Sequence, residues 1–521
     1  MIGRRALLAA ASLGAAPAAA QITSLDLSPA SVPVRPDDWV AAGHARATLL
    51  RWGDRVAFDA PPWDPRAATA EAAALQAGWD MRVAGLIVPP VAADGVPRLV
   101  LALAHPDVDP AMAFPQGRAG VALMAASAGA SLLNLELQDG RWVLVDGGFQ
   151  SRRITHETLC RLTGPAMAGA VQGLLPPACG CATPWGSLLL AEPEPGPWLA
   201  RLAALDARFR DARPFGWIAE VDALDPQSVP AKRSALGRIG AAALASTLAT
   251  DGRAIIFAAD GRPQGFVYRF VSTNPARQPD ALDAGMLSVA REEGGAILWR
   301  PLGPRGALDP EGAADAAGGT RFDAVSALAV DPNRPRLLLA GRTGSRTPGT
   351  TTALHPRLGP HPGQLLEVSG DLAGPRCAAA LLLLAGDAAE GGQQGRSAPL
   401  PGAVPRFPAT LHVDGRSRLW IGTDRGGRPG VAPDLIFATD LEGPGRGQCY
   451  PIYGAPRGGG IGGAVTTPDD AALILAVRRP GAEPGASFER PATRWPAFDA
   501  RLPPRSAVLV VTRNAGPPVG G

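Results

Sequence analysis

The 521-residue sequence is short of several residue types. It has one lysine, Lys232, together with three tyrosines and five cysteines, and its formal net charge is only +3. The basic residues are therefore almost all arginine, and they form no basic run or basic-aromatic stripe of the kind that binds nucleic acid. Nucleic acid is excluded as an expected partner. Because five is an odd number, at least one cysteine lies outside any internal disulfide, and we expect mostly buried thiols.

Long apolar runs are also missing. No later segment approaches the roughly 18 apolar residues that a membrane-spanning helix requires, so we expect no membrane span. The first residues, MIGRRALLAAASLGAAPAAAQ, combine a twin arginine, a short apolar run and an A-x-A end. This pattern is typical of an export signal that is removed from the mature protein. We predict the twin-arginine route, with the ordinary secretion route as the alternative, and a periplasmic or secreted protein.

Glycine and proline are abundant instead. The sequence has 64 glycines and 54 prolines without a collagen-like period, and 46% of its residues are hydrophobic against 19% charged. A chain of this length and composition can bury a large core. Turn-forming residues spread along the whole chain predict all-β structure rich in turns.

One pattern recurs along the chain. An apolar run, a turn opened by aspartate and a second apolar run occur at Asp94, Asp139, Asp251, Asp331, Asp414 and Asp469. Aspartate followed by glycine between apolar runs indicates a β-hairpin, because glycine adopts the positive φ of a tight turn freely. Four of the later copies are followed by a further apolar strand, near Gly265, Gly363, Asp434 and Ser506.

Three or four short strands in each of about six units predict an all-β fold, a six-bladed β-propeller with long inter-blade loops. A pair of β-sandwiches is the alternative. Helical patterns in residues 66–79 and 199–212 predict a few peripheral helices. We assign residues 1–20 to the export signal, 21–44 to a lead-in, 45–515 to the propeller and 516–521 to a C-terminal tail.

Several stretches resemble landmarks of one known family. They are LLRWGDRV, SRRITHETLCRLTGP, TPWGSLLLAE, GWIAEVDALDP, KRSALGRIG, VYRFVS, RLWIGTD and VTTPDDAALIL, in this order. Over about residues 45–515 the chain is similar to the PhoX-type alkaline phosphatases. The resemblance implies a secreted six-bladed propeller that cleaves phosphate monoesters. It also implies a central channel in which carboxylates and one thiolate hold iron and calcium ions, which stabilise the charge on the phosphoryl group.

Most positions that resemble the family's metal ligands carry other residues here. Where the family reads Thr-Cys-Glu-Glu, the chain keeps only Glu192, and where it reads Gly-Asp-Asp, the chain keeps only Asp260. The lost positions at these two landmarks are Ala191, Pro193 and Gly261, and at the other landmarks the chain has Pro106, Ala241, Ala242, Val325, Ser326, Ala409, Thr410 and Gly460. Calcium takes about six to eight oxygen ligands. We therefore expect no multinuclear cluster, and Glu192, Asp260 and Asp424 remain as candidate ligands for at most one calcium ion.

No other catalytic motif stands out. The sequence has no G-x-S-x-G, no P-loop lysine and no H-E-x-x-H, which removes the commonest hydrolase and nucleotide-binding signatures. Its six histidines show no metal-ligand spacing, and we expect His355 and His361 on a proline-rich surface loop.

Arginines provide the remaining candidate chemistry. Arg152, Arg153, Arg425 and Arg479 lie in or beside the family landmarks, and guanidinium groups bind phosphate or carboxylate through paired hydrogen bonds. We predict an exported PhoX-like protein with impaired phosphomonoesterase activity that binds an anionic small molecule and acts as a binding or scaffold protein. The alternatives are an active phosphatase with a reduced calcium and iron site, and a one-metal lactonase-like hydrolase.

Overall fold

A computed structural model of the chain describes residues 23–303, 305–386, 404–426 and 432–521. The predicted export signal, residues 1–20, lies outside this part of the chain. The described part contains 31 β-strands and five short α-helices, so the all-β prediction is confirmed. None of the described helices has the length and apolar character that crossing a membrane requires.

The strands are numbered in chain order. The first sixteen are β1 (Trp39–Val40), β2 (His44–Arg51), β3 (Arg82–Ile87), β4 (Arg98–His105), β5 (Gly129–Gln138), β6 (Arg141–Leu144), β7 (Arg152–Ile154), β8 (Leu159–Thr163), β9 (Gly169–Gln172), β10 (Cys179–Ala182), β11 (Leu188–Ala191), β12 (Ile218–Val221), β13 (Ala231–Arg233), β14 (Ala243–Leu248), β15 (Arg253–Ala259) and β16 (Val267–Pro275). The others are β17 (Gly285–Glu292), β18 (Ala296–Pro301), β19 (Val325–Val330), β20 (Arg336–Gly341), β21 (Gly344–Arg346), β22 (Gly359–His361), β23 (Gln364–Ser369), β24 (Arg376–Leu384), β25 (Pro408–Val413), β26 (Arg418–Thr423), β27 (Leu435–Asp440), β28 (Tyr450–Gly454), β29 (Gly460–Thr466), β30 (Ala472–Arg478) and β31 (Ala507–Arg513).

The helices are short. They are α1 (Ala70–Ala73), α2 (Pro110–Ala113), α3 (Val121–Ser127), α4 (Gly196–Leu202) and α5 (Pro310–Ala316), with 3-10 turns at Pro115–Gly117, Ala207–Arg210, Ser234–Leu236 and Ala281–Asp283. Helix α1 lies inside the predicted stretch 66–79 and begins where the Thr69 hydroxyl accepts the Ala72 N–H. Helix α4 overlaps the stretch 199–212 and buries Trp198 and Leu202. Both predicted helical regions are present.

Most sheets contain strands that are close in sequence. One sheet has the order β3-β4-β5-β6 with β7 beside β5, and the next has the order β10-β11-β12-β13-β8-β9. A nine-stranded sheet, β14-β15-β16-β17-β18-β24-β23-β20-β19, joins two groups edge to edge through β18 and β24. The remaining large sheets have the orders β25-β26-β27-β28-β1 and β29-β30-β31-β2, while β21 and β22 form a separate ribbon. Of the named strand pairs, only β8 with β13 is parallel.

The first strands of the six groups contact one another in a cycle. Strand β3 contacts β10, β10 contacts β14, and the contacts continue through β19, β25 and β29 back to β3. A cavity of about 310 Å³ is lined by residues of all six strands. Strand β2 pairs with β31, with Thr48 opposite Leu509, so an N-terminal strand completes the last sheet.

All six predicted aspartate turns join antiparallel neighbours in these sheets. In five of them the aspartate Oδ1 accepts the backbone N–H two residues later, as Asp331 does from Asn333 at 3.0 Å. This side-chain hydrogen bond stabilises a turn locally. The sixth turn uses φ of 49° at Asp139 and 72° at Gly140, the two positive values of a type I′ hairpin.

The core lies between neighbouring sheets. In β4, Leu99, Leu101 and Leu103 belong to one buried cluster. The alternate residues Val100 and Ala102 belong to another cluster, which includes Leu188 and Leu190 of the next sheet. Both faces of β4 are therefore buried, which explains why its sequence is a continuous apolar run rather than an alternating one.

The hairpin geometry brings two kinds of strand end together. In an antiparallel pair the start of the first strand lies beside the end of the second. Arg82 begins β3 and Gly460 begins β29, while Arg478 ends β30 and Asp424 follows the end of β26. Polar residues from distant parts of the chain consequently meet at one end of the cycle.

Candidate functional site

A cavity of about 580 Å³ opens at this end of the cycle. It is named the arginine cavity here because of four of the charged residues that line it, Arg82, Arg342, Arg478 and Arg479. The buried carboxylates Asp80 and Asp424 line it too, as do Asp107, Asp109 and Glu483. These residues come from the first, fourth, fifth and sixth groups of strands. Four guanidinium groups therefore lie with two buried carboxylates in one concave site.

Arg478 donates hydrogen bonds to both buried carboxylates, Asp80 and Asp424. Its Nε donates to Asp80 Oδ1 at 2.7 Å and its Nη2 to Asp80 Oδ2 at 2.6 Å. Its Nη1 donates to Asp424 Oδ2 on the other side. Both aspartates are buried, with 1% of each residue exposed. A single guanidinium group thus neutralises charge on two buried carboxylates through a bidentate and a single contact.

The electrostatics follow from these contacts. Burial alone would raise the pKa of Asp80, but the charge and hydrogen bonds of Arg478 hold it well below the ordinary value. Burial also opposes the charged form of Asp424, yet Arg478, Arg479, Arg342 and Arg82 together lower its pKa. Both carboxylates are therefore charged at neutral pH, and their charge is already compensated.

Arg82 and Arg342 are attracted by these carboxylates but are not hydrogen-bonded to them. Within the described residues neither guanidinium group forms an ion pair, and Arg82 Nε is buried without a hydrogen-bond partner. Burial, followed by the charge of Arg478, lowers the pKa of Arg82 to about 10, and burial likewise lowers the pKa of Arg342. Both side chains stay charged at neutral pH, so the two of them leave unmatched positive charge at the arginine cavity.

The fourth arginine is held by an uncommon backbone conformation. Arg479 has φ of 45°, a left-handed value that costs free energy for a side chain other than glycine. Its Nη2 lies 3.2 Å from Asp424 Oδ2. Such local strain is found most often at binding and catalytic sites.

Glu192 is placed in a closed network away from the arginine cavity. Its Oε1 accepts from Leu175 N and Lys232 Nζ, each at 2.8 Å. Its Oε2 accepts from Gly216 N at 2.9 Å and Trp217 N at 3.0 Å. Glu192 and Lys232 are both fully buried. Because two hydrogen bonds occupy each oxygen, the carboxylate is used by the fold.

The other two candidate metal ligands lie in different surroundings. Asp260 accepts from Phe266 N at 3.1 Å and pairs with Arg262 at 3.0 Å, beside a separate cavity of about 220 Å³. Asp424 lines the arginine cavity. The structure does not bring Glu192, Asp260 and Asp424 together. Among the described residues, no group of three or more histidine, cysteine, aspartate or glutamate side chains is arranged to hold a metal ion.

The predicted anion-binding arginines mostly contact backbone carbonyls. Arg152 donates to Pro226 O at 2.6 Å and to Ser228 O at 2.9 Å. Arg153 is used in the same way, since it donates to the carbonyls of Ala126, Ala128 and Ala130. These contacts tie loops to the neighbouring strands.

Arg425 does not line the arginine cavity, although its neighbour Asp424 does. Its Nη2 donates to Pro433 O at 3.3 Å, and its Nε lies 3.6 Å from Asp434 Oδ1. Of the four arginines that the sequence singled out, only Arg479 lines the cavity.

Four residues of the site carry no motif in the sequence. Asp80 and Arg82 flank the start of β3, Arg342 follows β20, and Arg478 ends β30. One available signal is the pair of arginines that closes the apolar run ALILAVRR. A charged pair directly after a buried strand marks a strand end, but it does not reveal its distant partners.

The histidine pair is buried, so the expectation of a surface loop was wrong. Asp323 Oδ2 lies 3.1 Å from His355 Nδ1 and 3.3 Å from His361 Nε2, and Asp323 Oδ1 accepts from Arg346 Nε at 3.0 Å. Burial opposes the charge of Asp323, but these partners lower its pKa. Asp323 and His361 line another cavity of about 470 Å³.

Two positions that resemble family ligands have no room for a larger side chain. A Cβ atom added at Gly460 would lie 2.7 Å from Asp424 Oδ1, and one added at Gly261 would lie 2.4 Å from the Cβ of Ala242. Contacts this short require a neighbour to move. The surroundings of Gly460 and Gly261 are thus closed around glycine.

The mostly-β fold is shared with a known family. The family model of alkaline phosphatase PhoX matches residues 28–481, so the chain belongs to the PhoX alkaline phosphatase family, as the resemblance predicted. A solved structure of PhoX from Pseudomonas fluorescens, in complex with the transition-state analogue vanadate, matches with a TM-score of 0.85 at 23% identity, covering 95% of this chain and 99% of that chain. The two chains share a fold.

Other solved structures match more weakly. A gluconolactonase from Xanthomonas campestris has a TM-score of 0.27 at 11% identity, with 84% of this chain and 95% of that chain covered. A protein from Dyadobacter fermentans has a TM-score of 0.37 at 11% identity, with 91% and 100% covered. No curated protein matches the sequence.

Proposed function

We propose that the chain is an exported six-bladed β-propeller that binds a small anion in the arginine cavity and has lost the metal-dependent phosphatase activity of its family. The cycle of six first strands and the six aspartate hairpins support the propeller architecture. The twin arginine and the A-x-A end of the first 20 residues support export.

The donor atoms of the site do not fit an iron and calcium cluster. Of the five carboxylates that line the arginine cavity, Asp80 and Asp424 are paired with Arg478, Asp107 with Arg201 and Glu483 with Arg457. A cluster of hard cations needs several uncompensated oxygen ligands. Two further guanidinium groups, those of Arg82 and Arg342, would repel a cation placed between them.

One observation carries the proposal: among the described residues, neither Arg82 nor Arg342 at this cavity forms an ion pair with a carboxylate, and Arg82 Nε is buried without a hydrogen-bond partner. An anion between them would receive charge-assisted hydrogen bonds, each contributing about 1.5–3 kcal/mol. It would also stabilise the charged form of both arginines, which burial disfavours. The vanadate bound by the relative from Pseudomonas fluorescens supports an anion as the class of ligand.

Sulfate titration by calorimetry tests the anion site. We expect the purified protein to bind sulfate, and Arg342→Met to weaken the affinity by about 10-fold or more, because one charge-assisted hydrogen bond is worth about this much. Arg213→Met is the matched control, since Arg213 is exposed and pairs with the surface residue Asp211. Equal sulfate affinities for the native protein and Arg342→Met would contradict the proposal.

Hydrolysis of p-nitrophenyl phosphate, with calcium and iron(II) added, tests the loss of phosphatase activity. We expect no metal-dependent turnover. Turnover that depends on Glu192 or Asp424, together with several bound metal ions per chain, would favour the active phosphatase instead. A single bound calcium ion with turnover of a lactone would favour the one-metal hydrolase.

A further inference from the structure

The carboxylates at the mouth of the arginine cavity have the opposite charge from the arginines at its floor, Arg82 and Arg342. Asp107 and Asp109 follow β4, Glu483 follows β30, and all three line the cavity that Arg82 and Arg342 also line. The floor carries unmatched positive charge, so the cavity is polarised between its two ends.

The mouth carboxylates are only loosely engaged. Asp107 pairs with Arg201 at 3.1 Å across the surface, where 59% of the aspartate side chain and 42% of the arginine side chain are exposed. Asp109 uses Oδ1 to accept the Ala111 N–H at 3.0 Å at the start of α2. Exposed ion pairs of this kind contribute about 0–1 kcal/mol to stability. The fold therefore does not depend on the charge of these residues.

Glu483 is held more firmly. Both of its carboxylate oxygens accept from Arg457, each at 2.9 Å. Its charge is therefore compensated, and Asp107 and Asp109 are the mouth residues whose charge is most available to a ligand.

The carboxylates at the mouth also act electrostatically on the arginines deeper in the cavity. Burial lowers the pKa of Arg478, whereas Asp80, Asp424 and also Asp107 raise it. Charges that share a partly enclosed cavity are screened less than charges on an open surface. A bare anion would consequently be attracted by the floor and repelled on its way in.

A ligand with charges of both signs turns that repulsion into attraction. The wall between mouth and floor includes Trp79 and the apolar residues Pro106, Ala482 and Pro484, which suits a short hydrocarbon linker. Carboxylates next to an aromatic ring are also the surroundings in which proteins bind ammonium groups. A volume of about 580 Å³ is in the range of small-molecule sites.

We propose that the arginine cavity binds a zwitterion, in which an anionic group lies at Arg82 and Arg342 and an ammonium group lies at Asp107 and Asp109. This inference rests on the proposed anion site and specifies its ligand. Phosphate and carboxylate share the chemistry that the floor recognises, so the anionic group comes from either an aminoalkyl phosphate or an amino acid.

Two pairs of nearly isosteric ligands test the proposal by calorimetry. Phosphoethanolamine is compared with propyl phosphate, and β-alanine with butyrate, because the members of each pair differ in an ammonium group that replaces a methyl group. We expect the native protein to prefer the ammonium-bearing member of at least one pair by about 5- to 10-fold, the effect of one or two partly exposed charge contacts. The pair that shows the preference identifies the anionic group.

The variant Asp107→Asn/Asp109→Asn gives the sharper result. Asparagine keeps the helix cap at position 109, so the fold is retained. We expect the preference to disappear, with weaker binding of the zwitterion and tighter binding of propyl phosphate or butyrate than in the native protein. Glu311→Gln is the control, since Glu311 is an exposed carboxylate paired with Arg262 beside another cavity.

The outcomes separate the two proposals. Equal affinities within both pairs, or a preference that persists in the double variant, overturn the zwitterion while leaving the anion site standing. If sulfate and all four ligands fail to bind, the anion site itself is wrong, and the zwitterion proposal is overturned with it.

Discussion

The chain contains two sites with buried carboxylates paired to a cation, and they differ in how many of their charged groups are paired. At Glu192, four hydrogen bonds, one of them from its ion-pair partner Lys232, use every acceptor position of one carboxylate. Lys232 in turn donates to Pro214 O at 3.0 Å and lies 4.4 Å from the ring centre of Phe215. At the arginine cavity, Arg478 donates hydrogen bonds to both Asp80 and Asp424, but in the described part of the chain Arg82 and Arg342 form no ion pair.

The difference separates structure from function. A buried charge network in which every group is satisfied holds strands in register and offers nothing to a ligand. A network with surplus charge beside a cavity can gain free energy only from a molecule that supplies the missing charge. Glu192 keeps a position that resembles a family metal ligand, yet the surplus charge on which the proposed binding rests lies at the arginine cavity.

The largest expected effect is on the closed site. Lys232→Met should lower the free energy of unfolding by about 4 kcal/mol, because it leaves the Glu192 carboxylate buried without its cation. Urea denaturation measures this loss. Sulfate affinity, measured on the same variant under native conditions, should stay unchanged. The double variant Lys232→Met/Glu192→Gln should recover part of the stability, and a loss below about 1 kcal/mol in the single variant would show that the ion pair is dispensable.

A smaller loss of stability, which calcium should partly reverse, is expected at the arginine cavity, the open site. Arg478→Gln should lower the free energy of unfolding by about 3 kcal/mol, since Asp80 and Asp424 lose the partner they share while Arg479 still contacts Asp424. Millimolar calcium should restore part of this stability, because two freed carboxylates at a cavity are ligands that calcium prefers. Thermal unfolding with and without calcium chloride measures the effect.

Lys232→Met is the comparison for this calcium effect. Its freed carboxylate stays enclosed by three backbone N–H groups, so calcium should leave its melting temperature unchanged. If calcium stabilised both variants equally, the distinction between a closed and an open site would be lost.

Much of the fold could be predicted from the sequence because its signals are local. An aspartate that accepts the N–H two residues later, as Asp414 does from Arg416, forms its turn with its immediate neighbours. The predicted strands near Gly265, Gly363, Asp434 and Ser506 are β16, β23, β27 and β31. Apolar runs bounded by such turns therefore located hairpins correctly.

The site could not be predicted because its contacts are not local. Asp80 and Arg478 are 398 positions apart, and only the closure of the strand cycle brings them together. Glu192 posed the opposite problem, since a carboxylate at a family landmark has the same sequence signal whether a metal ion or Lys232 neutralises it. For the Glu192 site, the informative sequence feature is that an arginine-rich chain has a single lysine, Lys232.

The smallest predicted effect concerns pH. Burial, and after it the charge of Asp424, raises the pKa of Asp434 to about 6. Asp434 is therefore protonated below this pH and charged above it, and its charge acts on Arg342. We expect sulfate affinity to fall by about 2- to 5-fold between pH 5 and pH 7.5, as a further negative charge appears beside the anion site.

Asp434→Asn should remove this dependence, because the single amide oxygen of asparagine can accept from the Thr423 hydroxyl and the Arg425 N–H as Asp434 Oδ1 does, but asparagine does not titrate. Sulfate is the right probe, since it remains a dianion across this range and its own titration does not contribute. The same pKa shift affects stability. Because the pKa of Asp434 is raised in the folded protein, its protonation stabilises the fold fully below the ordinary value of 3.8, and this contribution is lost as the pH rises through about 6. A native profile that is flat, or a slope that survives in Asp434→Asn, would mean that Asp434 is electrostatically separate from the arginine cavity and that the surplus positive charge there is set by Arg82 and Arg342 alone.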